Sequence, residues 1–399
     1  SGTGITWQGE ISPVTGKPYW EKNSADFCVM LVIYKGYDQT VARASNKAAS
    51  NPFSGVRSIE KVGENVLRFT YNGNRPQDQE EGNIFLLSDS ATRKTTGAFF
   101  WESENLLVDE IDVHYLSGFG WLTQMCKNVE FRGVDFLPRY GTGKYTTSNA
   151  DQLHVAGCGG YFKVTDCNFS MAHDDPINVH GSYMRVEQVI DERTLMVKYI
   201  HGQQGGFRQF HPGDEVLFYS RTYLEPPAGE DESKPYVVES SIAPGETYQG
   251  EKLDMRTEVV TFQEPFSQET LDDLRIQVTR NGSSVEEGLY VAENVSYTPA
   301  VTISGNHMKS IPTRGILCTT RQPVIIENNI FDNMAMANIY LSNDANYWYE
   351  SGPIRNMIIR NNDFYIRPTG QAEWGSVSGV FVDPVVLTGV QNAPPSKGS

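Results

Sequence analysis

The sequence predicts an all-β protein: a right-handed parallel β-helix with small β-barrel or sandwich modules inserted into it. Three observations carry that prediction. First, one short segment recurs, as Val129-Glu-Phe-Arg-Gly-Val-Asp-Phe136, Phe162-Lys-Val-Thr-Asp-Cys-Asn-Phe169, Val301-Thr-Ile-Ser-Gly-Asn-His-Met308, Val324-Ile-Ile-Glu-Asn-Asn-Ile-Phe331 and Met357-Ile-Ile-Arg-Asn-Asn-Asp-Phe364. Each copy alternates apolar and polar residues at period two, places Gly, Asn or Asp where a tight bend needs positive φ, and closes on an apolar residue. Second, the copies starting at 129 and 162, 301 and 324, and 324 and 357 lie 33, 23 and 33 residues apart, within the span of solenoid repeats. Third, short β-rich strands fall between the copies: Gln152-Leu-His-Val-Ala156, Pro176-Ile-Asn-Val-His180, Gly315-Ile-Leu-Cys318 and Asn338-Ile-Tyr-Leu341.

Along the chain, residues 1–22, 96–182 and 297–386 are assigned to the β-helix. Residues 23–95 are assigned to an N-terminal β insertion, because Phe27-Cys-Val-Met-Leu-Val-Ile-Tyr34 and Val66-Leu-Arg-Phe-Thr-Tyr71 read as strands outside the rung pattern. The 162 to 301 gap is too long for a structureless connection and holds strands of its own, among them Thr194-Leu-Met-Val-Lys-Tyr199 and Asp214-Glu-Val-Leu-Phe-Tyr219. An inserted β-barrel over 183–296 follows, and 387–399 reads as a polar tail. Asn306, Asn329 and Asn362 fall at matching places in consecutive copies, which predicts a ladder of side-chain amides inside one bend.

Composition narrows the function. A formal net charge of −16 repels phosphate backbones and acidic polysaccharides, so a nucleic-acid partner is not expected. The five cysteines, Cys28, Cys126, Cys158, Cys167 and Cys318, show no CxxC spacing, so no zinc knuckle or redox pair is predicted. Cys158 and Cys167 are either bridged or small buried hydrophobes. No apolar run approaches the roughly 18 residues needed to span a bilayer. The opening Ser-Gly-Thr-Gly reads as a processed or trimmed start. The sequence does not fix the oligomeric state.

The chemistry concentrates in Ser148-Asn-Ala-Asp-Gln-Leu-His154 and Met171-Ala-His-Asp-Asp-Pro-Ile-Asn-Val-His-Gly181. Asp151 and Asp174 are 23 residues apart, about one coil, so Asp151 is expected beside Asp174 and Asp175 on one face of the helix. Stacked like charges push carboxyl pKa values apart, which is what acid/base hydrolysis of a glycoside requires. An isolated Asp-Asp pair is usually a solvated turn, but His154, His173, Asn178 and His180 share the same two coils. Three of the seven histidines within that stretch point to a site. A His/Asp cluster also suits a divalent metal, yet no HxH or HxxxH spacing is present, so neither a metal nor a cofactor is predicted. Farther out, Trp121, Arg314, Tyr340 and Trp348 are candidates for shaping a sugar pocket, with core burial the competing reading for a Trp.

Asn149-Ala-Asp151, Asp174-Asp175 and His180-Gly181 are similar to the Asn-x-Asp, Asp-Asp and His-Gly elements of β-helix polygalacturonases. The fuller string, Ala150-Asp-Gln-Leu-His154 with Ala172-His-Asp-Asp-Pro-Ile-Asn-Val-His-Gly181, more closely resembles glycoside hydrolase family 110, bacterial α-1,3-galactosidases acting on blood-group-B-type and linear α-galactosyl glycans. The resemblance implies an inverting exo-glycosidase, secreted, periplasmic or at the cell surface. By analogy with polygalacturonases, Asp174 is the acid and Asp151 and Asp175 hold the water. His154, His173, Asn178 and His180 become galactose ligands or orienters of the carboxylates. The Arg-Ile-Lys element that polygalacturonases use for a substrate carboxylate is missing, its nearest string being Arg275-Ile-Gln in the predicted insertion, so a neutral sugar is favoured. Family 110 chains also carry more sequence ahead of the catalytic coils. Rival readings are a polygalacturonase-like hydrolase, a sugar-binding adhesin, or a polysaccharide lyase, which commonly uses Ca²⁺ with a Lys or Arg base.

Overall fold

The computed structural model describes residues 27–35, 38–44, 52–53, 55–64, 66–75, 81–89, 95–139, 141–279, 286–366 and 377–388. Three sheets of parallel strands wind around one apolar core, so the solenoid is a parallel β-helix. Each rung contributes a strand to two of these sheets. In the first, Leu106, Val129, Phe162, Val301, Val324 and Met357 stand in register on successive coils. In the second, Val113, Phe136, Phe169, Met308, Phe331 and Phe364 do the same. The alternation read from sequence therefore stacks like on like, and Phe136 lies nearly parallel to Phe169 with centroids 5.7 Å apart.

The amide ladder forms inside the bend: Asn306 Nδ2 donates to Asn329 Oδ1 at 2.9 Å and Asn329 Nδ2 to Asn362 Oδ1 at 3.0 Å. Such mutual satisfaction removes the cost of burying an amide. Cys126, Cys158, Cys167 and Cys318 are free, buried thiols, so Cys158 and Cys167 are not bridged.

The third sheet, here the cavity sheet, runs through Thr96–Trp101, Phe119–Gln124, Leu153–Ala156, the start of Ile177–Val189, Ile316–Thr319, Ile339–Asp344 and Val380–Val385. The strand Ile177–Val189 leaves the solenoid after His180 without breaking. Its distal half pairs antiparallel with Thr194–Lys198 on one side and Tyr290–Asn294 on the other. Glu215–Ser220, Tyr236–Ile242 and Thr257–Phe262 complete the ring, giving a closed six-stranded antiparallel barrel with its own core around Val197, Phe218 and Phe262. Closure pairs every one of these six strands on both sides, so the barrel sheet itself has no edge strand.

Near the start, Phe27–Lys35 pairs antiparallel with Asp38–Ala44 and Ile84–Asp89, and Val56–Gly63 forms a hairpin with Val66–Tyr71. The segment 1–22 assigned to the β-helix lies outside the described residues, as does the assigned tail beyond 388. The tail's first residue departs from a polar reading: Leu387 is buried with the barrel core, its N–H donating to the Arg221 carbonyl at 2.7 Å. Among the described residues, no helix is long and apolar enough to cross a membrane.

Candidate active site

Side chains alternate along the cavity sheet, so each strand divides its residues between core and surface. Trp121, Leu153, Ile177, Ile316 and Ile339 face inward in register. One position along, Leu122, His154, Asn178, Leu317 and Tyr340 face outward in register and line a cavity of about 740 Å³. That volume falls in the roughly 300–1,000 Å³ range of small-molecule sites.

The acids enter from the turns that precede these strands. The Ser148–Ala172 bridge and the Leu153–Ile177 pairing both give a step of 24 residues, so the Asp151 turn stacks on Asp175 rather than on Asp174, as a step of 23 would have it. Gln152 N donates to the Asp175 carbonyl at 2.9 Å and fixes this register. Gly120 makes room one coil earlier, because a Cβ there would clash with the carbonyls of Asp151 and Gln152. The carboxylates of Asp151, Asp174 and Asp175 come together, with an oxygen of each within 4.8 Å of the others.

Their partners differ. Asp175 is fully buried: its Oδ1 accepts from Arg314 N and Nε, both at 3.1 Å, and its Oδ2 lies 2.7 Å from Arg314 Nη2. Burial pushes its carboxyl up to about 6 against the pull of Arg314, and the charges of Asp174 and Asp151 push the same way. Asp174 has Arg314 Nη2 at 4.0 Å. Asp151 Oδ2 is 2.6 Å from His154 Nδ1 and accepts from Asn178 Nδ2 at 3.3 Å. Burial opposes a charge on His154, but the hydrogen bond and charge of Asp151 outweigh it and raise the imidazole pKa. Three carboxylates this close also suit a divalent cation. Arg314 already brings a fixed positive charge into the cluster.

Curated relatives are described as alpha-1,3-galactosidases, of A and B types. The chain is 36% identical over 385 residues to the alpha-1,3-galactosidase A of Streptomyces avermitilis, covering 96% of this chain and 57% of that protein. It is 37% identical over 371 residues to alpha-1,3-galactosidase A of Peterkaempfera griseoplana, covering 91% and 47%. For alpha-1,3-galactosidase A of Bacteroides thetaiotaomicron the identity is 33% over 310 residues, covering 77% and 49%. The chain belongs to their family. It spans about half the length of these relatives. No family model matches it.

Within this family member, the residues predicted for the pocket divide. His154, Asn178, His180, Arg314, Tyr340 and Trp348 line the cavity with the three aspartates. Trp121 does not: the parity of Phe119–Gln124 turns it inward, where it meets Phe136 edge to face at 5.1 Å. His173 is buried and absent from the cavity wall; its backbone N–H donates to the Ser148 carbonyl at 3.0 Å, tying one turn to the next. His180 is 2% exposed, and both of its ring nitrogens have partners within the protein, the Gly181 carbonyl and His154 Nε2. Arg314 stacks its guanidinium over Tyr340, 5.2 Å from the ring centroid.

Two acids in the wall escaped the sequence reading. Glu350 sits 3.6 Å from His180 Nε2, and burial pushes its carboxyl up to about 7. Asp344 accepts from the backbone N–H groups of Asn346, Tyr347 and Trp348, which holds Trp348 at the rim. A signal existed: the coil from 324 to 357 is ten residues longer than the 23-residue step before it, and the excess holds both acids. From the barrel, His201 packs on Trp348 at 4.3 Å and Gln204 Nε2 donates to the Trp348 carbonyl at 3.2 Å, so the insertion supplies part of the cavity wall.

Proposed function

We propose that this chain carries the catalytic core of an exo-acting glycoside hydrolase that releases terminal α-1,3-linked galactose from blood-group-B-type or linear glycans, with inversion. The observation that carries the reading is the convergence of three differently partnered carboxylates in one sugar-sized cavity. The names of the relatives supply the linkage. Arg314 is the only guanidinium in the described cavity wall, and it is committed to Asp175, which favours a neutral sugar over a uronic acid.

In this mechanism Asp174 protonates the glycosidic oxygen while water, held by Asp151 and Asp175, adds to the anomeric carbon from the opposite face. The C–O bond to the leaving group breaks, its oxygen keeps the Asp174 proton, and a water proton passes to the carboxylate pair. Asn178 and Tyr340 face the same space and suit galactose hydroxyls, and Trp348 suits an apolar sugar face.

One observation favours a second reading. The facing oxygens of the three carboxylates lie within 4.8 Å of one another, a close approach that suits the tighter ~5–5.5 Å spacing between the carboxyl groups of retaining pairs. In that reading one aspartate attacks the sugar directly. The deciding experiment compares α-1,3-, α-1,4- and α-1,6-galactosides for release, then follows the first product by proton NMR. Inversion predicts β-galactose from the α-1,3 substrate, whereas α-galactose first would establish retention. The family resemblance supports export by a bacterial cell, which fractionation of the native host checks.

A further inference from the structure

A row of hydrogen-bonding atoms runs from Gly181 to Asp151. The Gly181 carbonyl lies 2.6 Å from His180 Nδ1, His180 Nε2 lies 3.1 Å from His154 Nε2, and His154 Nδ1 lies 2.6 Å from Asp151 Oδ2. A carbonyl oxygen only accepts, so His180 Nδ1 must carry a proton. Burial and the neighbouring His154 hold the His180 pKa down to about 3, which keeps the ring neutral and leaves Nε2 as a lone pair. Two ring nitrogens at 3.1 Å need one proton between them, and it therefore belongs to His154 Nε2.

His154 then has one nitrogen left, and it faces Asp151. If Asp151 is ionised, His154 Nδ1 must also be protonated; if His154 is neutral, the proton has crossed to Asp151. A neutral His154 beside an ionised Asp151 would set lone pair against lone pair at one end of the ring or the other, inside a buried site where that is costly.

We infer that His180 is a positioning residue that keeps both ring nitrogens of His154 protonated against an ionised Asp151, so that this pair enters the reaction with no net charge. The assignment rests on reading Asp151 as a water-holding base. Its consequence is charge balance. Asp151 is offset by His154 and Asp175 by Arg314, while Asp174 begins protonated as the acid. After turnover Asp174 is ionised and Asp151 has gained the water proton beside a still cationic His154, so the buried cluster is neutral at both ends of the step.

Other groups surround the row. Glu350 approaches His180 Nε2 from the strand Glu350–Ser351, with Asp344 behind it; Arg314, Asp174 and Asp175 face Asp151; the Phe119 ring meets His154 edge on at 5.2 Å. Burial favours the protonated form of Glu350 below about pH 7, so it does not draw a proton onto His180 Nε2 there.

The test is ¹⁵N NMR of histidine-labelled protein with His180→Leu and His180→Gln. At neutral pH His154 is expected to show two protonated nitrogens and His180 a neutral ring protonated at Nδ1. His180→Leu removes the acceptor: the His154 titration moves to lower pH and kcat falls roughly ten- to a hundredfold at little changed KM, part of the ~10²–10⁴ a general base contributes. His180→Gln, whose carboxamide oxygen can accept from His154 Nε2, restores the His154 spectrum and most of the lost kcat. A neutral His154 in the wild-type spectrum overturns the inference, as does a His180→Leu protein that keeps both the His154 titration and the pH–rate profile. The wild-type spectrum needs no substrate and no variant. Failure to release galactose therefore counts against the proposed function alone.

Discussion

The two faces of the cavity sheet are built from the same strands, one residue out of phase, and they answer to different physics. Inward, Leu153, Ile177, Ile316 and Ile339 are fully buried, and each is replaceable by a hydrophobe of similar volume. Outward, His154, Asn178 and Tyr340 are chosen for donors, acceptors and charge, at a cost in burial that their partners offset. Because side-chain direction has period two, a slip of one residue would exchange the faces and destroy fold and site together. The inner face specifies register, and the outer face uses it.

Substitutions that separate the faces give graded outcomes. The largest is expected on the outer side: Asp174→Asn should lower kcat by about 10²–10⁴ while the melting temperature stays within a few degrees, read by galactose release and thermal denaturation. An unfolded variant, or one with near wild-type turnover, would remove Asp174 from the acid role. On the inner side, Ile177→Ala should cost roughly 2–5 kcal/mol in denaturant unfolding, with activity per folded molecule nearly intact. Equal losses of activity and stability there would mean that the faces are not separable. Asn329→Ala strands the amide groups of its ladder neighbours and should cost roughly 1–3 kcal/mol without moving KM.

The smallest effect is a slope. Glu350 is pushed up to about 7 in the folded protein, so it binds a proton more tightly folded than unfolded. Its contribution to stability is present below the unfolded value near 4.5 and disappears as pH rises through about 7. Asp175, pushed up to about 6, acts in the same direction. The melting temperature should therefore fall over this window, and Glu350→Gln should flatten the fall. An unchanged slope in that variant would assign the effect to other groups.

Much of this is legible in the amino-acid sequence. Period-two alternation ending in Asn or Gly exposes the rungs, because a bend that needs positive φ admits few residue types: Asn328, Gly305 and Asn361 all take it. The grouping of Asp151, Asp174 and Asp175 followed from coil length, although the local step proved one residue longer than assumed. Trp121 was misplaced for want of parity: chemistry alone suits it to a sugar, whereas counting from His154 across the 121–153 pairing turns it inward. For Glu350 the coil excess marks an insertion but not its destination, because the residue reaches the cavity from a short strand paired antiparallel to the continuation of the His180 strand, a contact no rung pattern encodes. The barrel's closure depends on pairings between strands about a hundred residues apart, such as Arg185 with Val291, and no local signal specifies them.

The unbroken strand Ile177–Val189 works as a shared beam: one end presents Asn178 and His180, and the other is a stave of the barrel. A module mounted this way cannot swivel as a tethered appendage would, so the overhanging turn around Gln204 is aimed rather than floating. The shape of the cavity on that side is therefore set by the barrel, while the carboxylates beneath it are held by the solenoid alone.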